Sequence, residues 1–231
     1  MAALGEGAVQ VWAVEIDAWD DAWWRRACSL LPAGDVQRIL LCRNPLEQRR
    51  KFIGRLLVRW RLSVLSGGTM KGVALAQGVQ GKPYALGLPW SFSVSHSGCC
   101  IVAALAHEAV GIDVEERRPV SESVFRNALT PSEFAYVTAV AEERQRTDRF
   151  LTVWTRKESY FKALGTGLTG AWRTLPFAVD NAPRRQLGAW HFYDCPLHPD
   201  YVAVLCAQAS AEPQLVTMTL THWMRELDAA T

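Results

Sequence analysis

The chain has 231 residues, 49% of them hydrophobic and 21% charged, with a net charge of +2. That balance excludes a disordered or collagen-like chain and fits a protein with a substantial core. No run approaches the ~20 apolar residues of a membrane helix, and MAALGEGAVQVWAVEID carries neither a basic n-region nor a long apolar stretch, so a cytoplasmic protein with no membrane association is expected.

In chain order, VQVWAVEI (9–16) alternates cleanly and reads as a strand. A helix is expected near 17–31, ending at Pro32. The next helix has Asn44 as N-cap, Pro45 at N1 and Glu47 at N3, then Leu46, Ile53, Leu56, Leu57, Trp60 and Val64 at helical spacing. It stops at Ser66-Gly67-Gly68. Lys51, Arg55 and Arg59 form a row beside that stripe, and Gly54 leaves a bare patch. Between Arg38 and Arg61 eight basic residues face one acidic residue, Glu47. Such a cluster concentrates anions, whether nucleic acid, a phosphorylated small molecule or an acidic protein; a solvated helix face is the plain alternative.

A turn-rich loop (78–90) leads into SFSVSHSG (91–98), read as a Ser/Gly loop ahead of two strands, CCIVAALA (99–106) and AVGIDVEE (109–116). Thr130-Pro131-Ser132-Glu133 is a capping box opening a helix to about 142. AEERQRTDR (141–149) is a polar connector or exposed helix end, and a helix from about 148 to 164 ends at Gly165. Runs at 172–179, 188–194, 201–208 and 213–220 suggest an antiparallel sheet. The class is α+β. A split near residue 110 permits two similar lobes, 1–110 and 111–231, each a helix on a small antiparallel sheet. The six cysteines (28, 42, 99, 100, 195, 206) show no CxxC spacing and read as reduced, structural thiols.

Asp113 and Glu115 project from the same side of a strand whose Ile112 and Val114 turn inward. Two adjacent carboxylates repel unless a cation lies between them, and a hard dication such as Mg2+ suits oxygen donors. Charged gatekeepers on an exposed edge are the simpler reading. Ser95, His96 and Ser97 could hold a phosphate, as could Lys82 in its Gly-Lys-Pro turn. Glu158 and Lys162, four apart, would alone be a surface pair worth a few tenths of a kcal/mol. Together these groups suit an anionic, phosphate-rich ligand with a metal.

The residues resemble the Sfp-type 4′-phosphopantetheinyl transferases. That family's G-[IV]-D triplet, a gap of about forty residues and [FW]-[SCT]-x-K-E-[AS]-x-x-K are matched by Gly111-Ile112-Asp113, 40 residues, and Trp154 through Lys162. Lys82, the Phe92–Ser97 run and Gly54-Arg55-Leu56-Leu57-Val58-Arg59 follow its upstream motifs in order, so that the resemblance spans roughly residues 30 to 210. It implies transfer of the phosphopantetheine arm of coenzyme A to a serine of an apo acyl, peptidyl or aryl carrier protein, releasing adenosine 3′,5′-bisphosphate. By the same resemblance, Asp113, Glu115 and Glu158 would ligate Mg2+. Lys162 would contact the pyrophosphate and could protonate the leaving group, while Lys82, Ser95 and His96 would hold phosphates of coenzyme A. Arg38 and Arg50 would meet the 3′-phosphate, with Arg43 or Lys51 as substitutes. Glu158, directly or through a bound water, would be the base. The role of Lys157 stays open, and a monomer of two similar halves with the ligand between them is implied.

Two rival functions are a non-catalytic coenzyme A-binding regulatory protein and a nucleic-acid binder using residues 38–61. The first needs a broken carboxylate set, which this sequence does not have; the second leaves Asp113, Glu115 and Glu158 without a task.

Overall fold

The computed structural model describes residues 4–5, 7–167, 170–179, 182–183, 185–208 and 212–230. The first half runs β1 (Val9–Glu15), α1 (Asp21–Cys28), α2 (Ala33–Leu40), α3 (Pro45–Ser66), β2 (Leu75–Gln77), β3 (Pro83–Ala85), β4 (Ser91–Ser97) and β5 (Cys100–Ala106). The second runs β6 (Val110–Glu116), α4 (Glu122–Ala128), α5 (Pro131–Thr138), α6 (Glu143–Leu164), β7 (Ala178–Val179), β8 (Ala182–Pro183), β9 (Gln186–Leu187), β10 (Trp190–Asp194), β11 (Tyr201–Ala207), β12 (Gln214–Thr219) and α7 (Leu220–Ala230).

The α+β class holds. Two four-stranded sheets, β12-β1-β5-β4 and β6-β11-β10-β9, dominate the described residues. Strand alternation sorts the side chains. Val9, Val11, Ala13, Val102 and Ala104 of the first sheet share one core with Ile112, Val114, Ala203 and Leu205 of the second. On the opposite face of the first sheet, Trp12, Ile101, Ala103 and Leu105 pack against Phe52, Ile53, Leu56 and Trp60 of α3. Phe150, Val153, Phe161 and Ala163 of α6 do the same for Phe192, Val202 and Val204. The order is therefore helix, sheet, sheet, helix. Both long helices have 22 residues and end on a glycine in the left-handed region, Gly67 at φ 67° and Gly165 at φ 70°.

Several expectations are corrected. The run read as a Ser/Gly loop is strand β4, since its serines alternate with Phe92, Val94 and His96. The predicted helix at 17–31 is shorter, and α2, α4 and α7 are additional. The last strand does not extend an antiparallel sheet: β12 pairs parallel with β1, Val11 opposite Leu215 and Ala13 opposite Thr217. Helix α7 follows it home, burying Leu220, Trp223 and Leu227 in the core of the first lobe. A division at 110/111 thus leaves β12 and α7 on the far side of the sheet they complete. No helix among the described residues is long and apolar enough to cross a membrane, and all six cysteines are free.

Candidate active site

The site lies where the two sheets meet. Strand β4 ends the first sheet and β6 the second, and the serines of β4 bridge them like rungs. Ser93 Oγ accepts from the Ile112 amide at 3.1 Å and Ser97 Oγ from the Glu116 amide at 3.1 Å. Ser95 Oγ donates to Asp113 Oδ1 at 2.8 Å, and Ser97 Oγ to Glu115 Oε2 at 3.0 Å. The period-two serines thereby satisfy edge amides and orient both carboxylates.

Helix α6 brings the second half of the motif across. Lys162 Nζ lies 2.6 Å from Asp113 Oδ1 and donates to Ser95 Oγ at 2.9 Å. This approach depends on Gly111, where a Cβ would sit 1.9 Å from Ser159 O and 2.4 Å from Ala163 N. Only glycine allows strand and helix to pack so closely.

Charges in this crevice are perturbed. Burial, then the charges of Asp113 and Glu115, push Glu158 up to about 7, although Lys162 pulls the other way. Glu115 is also raised, by burial and then by Asp113, with Ser97, Trp154 and Lys162 opposing. Asp113 is only 3% exposed, and its Oδ2 has no hydrogen-bond partner. The adjacent carboxylates of Asp113 and Glu115, the first with an orphaned buried oxygen, are hard donors of the kind a hard dication takes. Among the described residues no three His, Cys, Asp or Glu side chains form a ready-made metal cage. Mg2+ usually relies on one or two carboxylates and fills its other positions with water and substrate phosphates.

Beside the crevice, a cleft of about 510 Å³ opens between α2, α3, β3 and β4. Arg38, Arg50, Lys51 and Arg55 supply its positive charge over a floor that includes Ile39, Val58, Phe92 and Val94, with the His96 imidazole beside them. Arg50 is fixed by donating Nε to Gly98 O at 2.7 Å. His96 Nε2 lies 3.7 Å from Glu47 Oε1, its Nδ1 is buried without a partner, and burial lowers its pKa. Arg38 sits at the rim, 68% exposed and 2.5 Å from Asp35. Gly54 also lines the cleft, with Val94 Cγ1 3.0 Å from where its Cβ would lie.

Other residues have different tasks from those their types suggest. Lys82 donates to Val110 O and Ala163 O, both at 3.0 Å, pinning its loop to β6 and the end of α6; burial lowers it to about 8. Lys157 is fully buried against Glu133 at 2.5 Å, with Ala128 O and Trp172 O as further acceptors, so it braces α6 and faces away from the crevice. The eight basic residues between 38 and 61 do not form one solvated face. Arg59 is clamped to Asp35 at 2.7 and 3.0 Å, and Arg61 lies buried over Trp12. Asp35 escaped sequence reasoning because α2 did; its signal is one acid on a short amphipathic turn facing three arginines.

Residues 109–206 match the model of the 4′-phosphopantetheinyl transferase superfamily. A 4′-phosphopantetheinyl transferase of Bacillus subtilis is 33% identical over 124 residues, covering 53% of this chain and 55% of that protein. The Sfp protein of Bacillus subtilis strain 168 is 30% identical over 124 residues, covering 53% and 55%. A phosphopantetheinyl transferase of Thraustochytrium is 27% identical over 192 residues, covering 75% and 66%. The chain spans about half the length of the Bacillus relatives it matches.

Proposed function

We propose that this chain, whose residues 109–206 match the model of the 4′-phosphopantetheinyl transferase superfamily, transfers the 4′-phosphopantetheine arm of coenzyme A to a serine of an apo carrier protein. The observation that carries this reading is the meeting of Asp113, Ser95 and Lys162 within 2.6–2.9 Å at the seam between the sheets. The basic 510 Å³ cleft adjoining it offers room and charge for a nucleotide.

In this reading the cleft takes the adenosine and its 3′-phosphate, with Arg38 and Arg50 as its cations, and His96 and Ser95 meet the pyrophosphate. Mg2+ would be held by Asp113, Glu115 and Glu158 and would withdraw charge from the pyrophosphate oxygens. Glu158, directly or through a bound water, accepts the proton of the carrier serine. The serine oxygen forms the new bond to the arm's phosphorus as the bond to the adenosine bisphosphate oxygen breaks. Lys162 offsets the charge growing on that leaving oxygen. Lys82 contributes indirectly, by fixing the loop against β6 and α6.

The test is incubation with coenzyme A, Mg2+ and a panel of apo acyl, peptidyl and aryl carrier domains, read by mass spectrometry. At least one carrier gains the mass of a single arm, and chelation of Mg2+ abolishes the gain. Coenzyme A binding with no transfer to any carrier would favour a regulatory protein instead.

A further inference from the structure

Glu47 occupies the third position of α3, where a glutamate usually reaches back to the N-cap amide. Glu133 does this in α5, closing a capping box with Thr130. Glu47 instead reaches outward and forward. Its Oε1 lies 3.7 Å from His96 Nε2 and 3.4 Å from Lys51 Nζ, and its Oε2 lies 3.5 Å from Arg50 NH1. All three partners line the 510 Å³ cleft. One carboxylate therefore sits against two cations, Arg50 and Lys51, and one imidazole, His96, that an incoming phosphate would use.

We propose that Glu47 is an internal stand-in for phosphate: in the free protein it neutralises Arg50 and Lys51 beside the His96 imidazole, and an anionic ligand must displace it to bind. The distances suit this role. Each contact exceeds the 2.7–2.9 Å of a strong charge-assisted hydrogen bond, so the carboxylate holds the cations together without locking them. By contrast Asp35, 2.7 Å from Arg59 and almost wholly buried, is a structural anchor in the same wall. Glu47 thus sets the affinity of the cleft, keeping it low enough for product to leave, and it favours ligands carrying enough charge to outcompete a carboxylate. This deepens the coenzyme A reading and rests on it for the identity of the ligand.

The test compares wild type with Glu47→Gln by calorimetric titration of coenzyme A, inorganic pyrophosphate and uncharged pantetheine. Glu47→Gln binds coenzyme A and pyrophosphate about 3- to 10-fold more tightly, as expected on removing one competing charge. The gain shrinks with added salt, and pantetheine is unaffected. Unchanged or weaker anion binding by Glu47→Gln overturns the proposal, since a residue that merely orders Arg50 and Lys51 loses affinity on substitution. Should wild type bind pyrophosphate and not coenzyme A, the coenzyme assignment fails while the pyrophosphate comparison still decides the role of Glu47. Failure of every anion to bind either protein overturns both.

Discussion

At the scale of the residue, Lys157 and Lys162 show how five positions on one helix separate structure from chemistry. Lys162 is 30% exposed and reaches Asp113 and Ser95, whereas Lys157 is sealed against Glu133. Glu133 also accepts from the Thr130 and Phe177 amides, at 2.7 and 2.6 Å. Lys157→Ala strands that carboxylate in the core and should cost about 3–5 kcal/mol, measured by urea unfolding. Lys162→Ala also leaves a buried carboxylate, Asp113, without its cation, but at a 30% exposed lysine the cost should be smaller than for Lys157→Ala. Arm transfer should fall at least about 100-fold, the scale of losing one electrostatic stabiliser of the transition state. Asp35 supplies a pH test. Burial alone would raise its carboxyl, yet Arg38, Arg55 and Arg59 hold it below its ordinary 3.8. A depressed carboxyl stabilises the fold above its unfolded pKa and loses that contribution as pH falls through its folded value. The stability gap between wild type and Asp35→Asn is therefore full at pH 6 and closes as pH drops below about 4, read by thermal unfolding across that range.

At the scale of the element, the contact of β6 with α6 is the decisive one. The Gly-Ile-Asp triplet puts a bare backbone against Ser159 and Ala163 and, two residues later, a carboxylate against Lys162. Gly111→Ala should push α6 off the strand, lowering stability by about 3 kcal/mol or more and abolishing transfer. Unaltered transfer by this variant would disprove the dependence on close packing. The geometry was legible in outline from sequence: period-two alternation places Asp113 and Glu115 together, and the i,i+4 spacing puts Glu158 and Lys162 on one face. The strand character of 91–97 was not. Serine and glycine imitate a loop, and the hydroxyls earn their place only against the edge of a second sheet, a partner distant in sequence. Glu47 read as a helix-start signal for a similar reason, because His96 lies on another element.

At the scale of the whole molecule, two helix-on-sheet units share a core, and their edge strands form the seam where the proposed transfer site lies. The α+β class followed from helices interleaved with short strands. The return of β12 and α7 did not, since a parallel pairing across some two hundred residues leaves no local trace. Removing 214–231 should expose the core around Trp60, whose ring lies 5.7 Å from that of Trp223. The truncated chain is expected to lose its near-ultraviolet tryptophan signal and its cooperative unfolding; retention of both would show that α7 is dispensable.

The most direct test of the central claim, that Asp113 organises a transfer site at the seam, is the rate of arm transfer by Asp113→Ala. Measured by mass spectrometry with coenzyme A, Mg2+ and a competent apo carrier, the rate should vanish while circular dichroism matches wild type. Transfer at the wild-type rate by that folded variant would contradict the account.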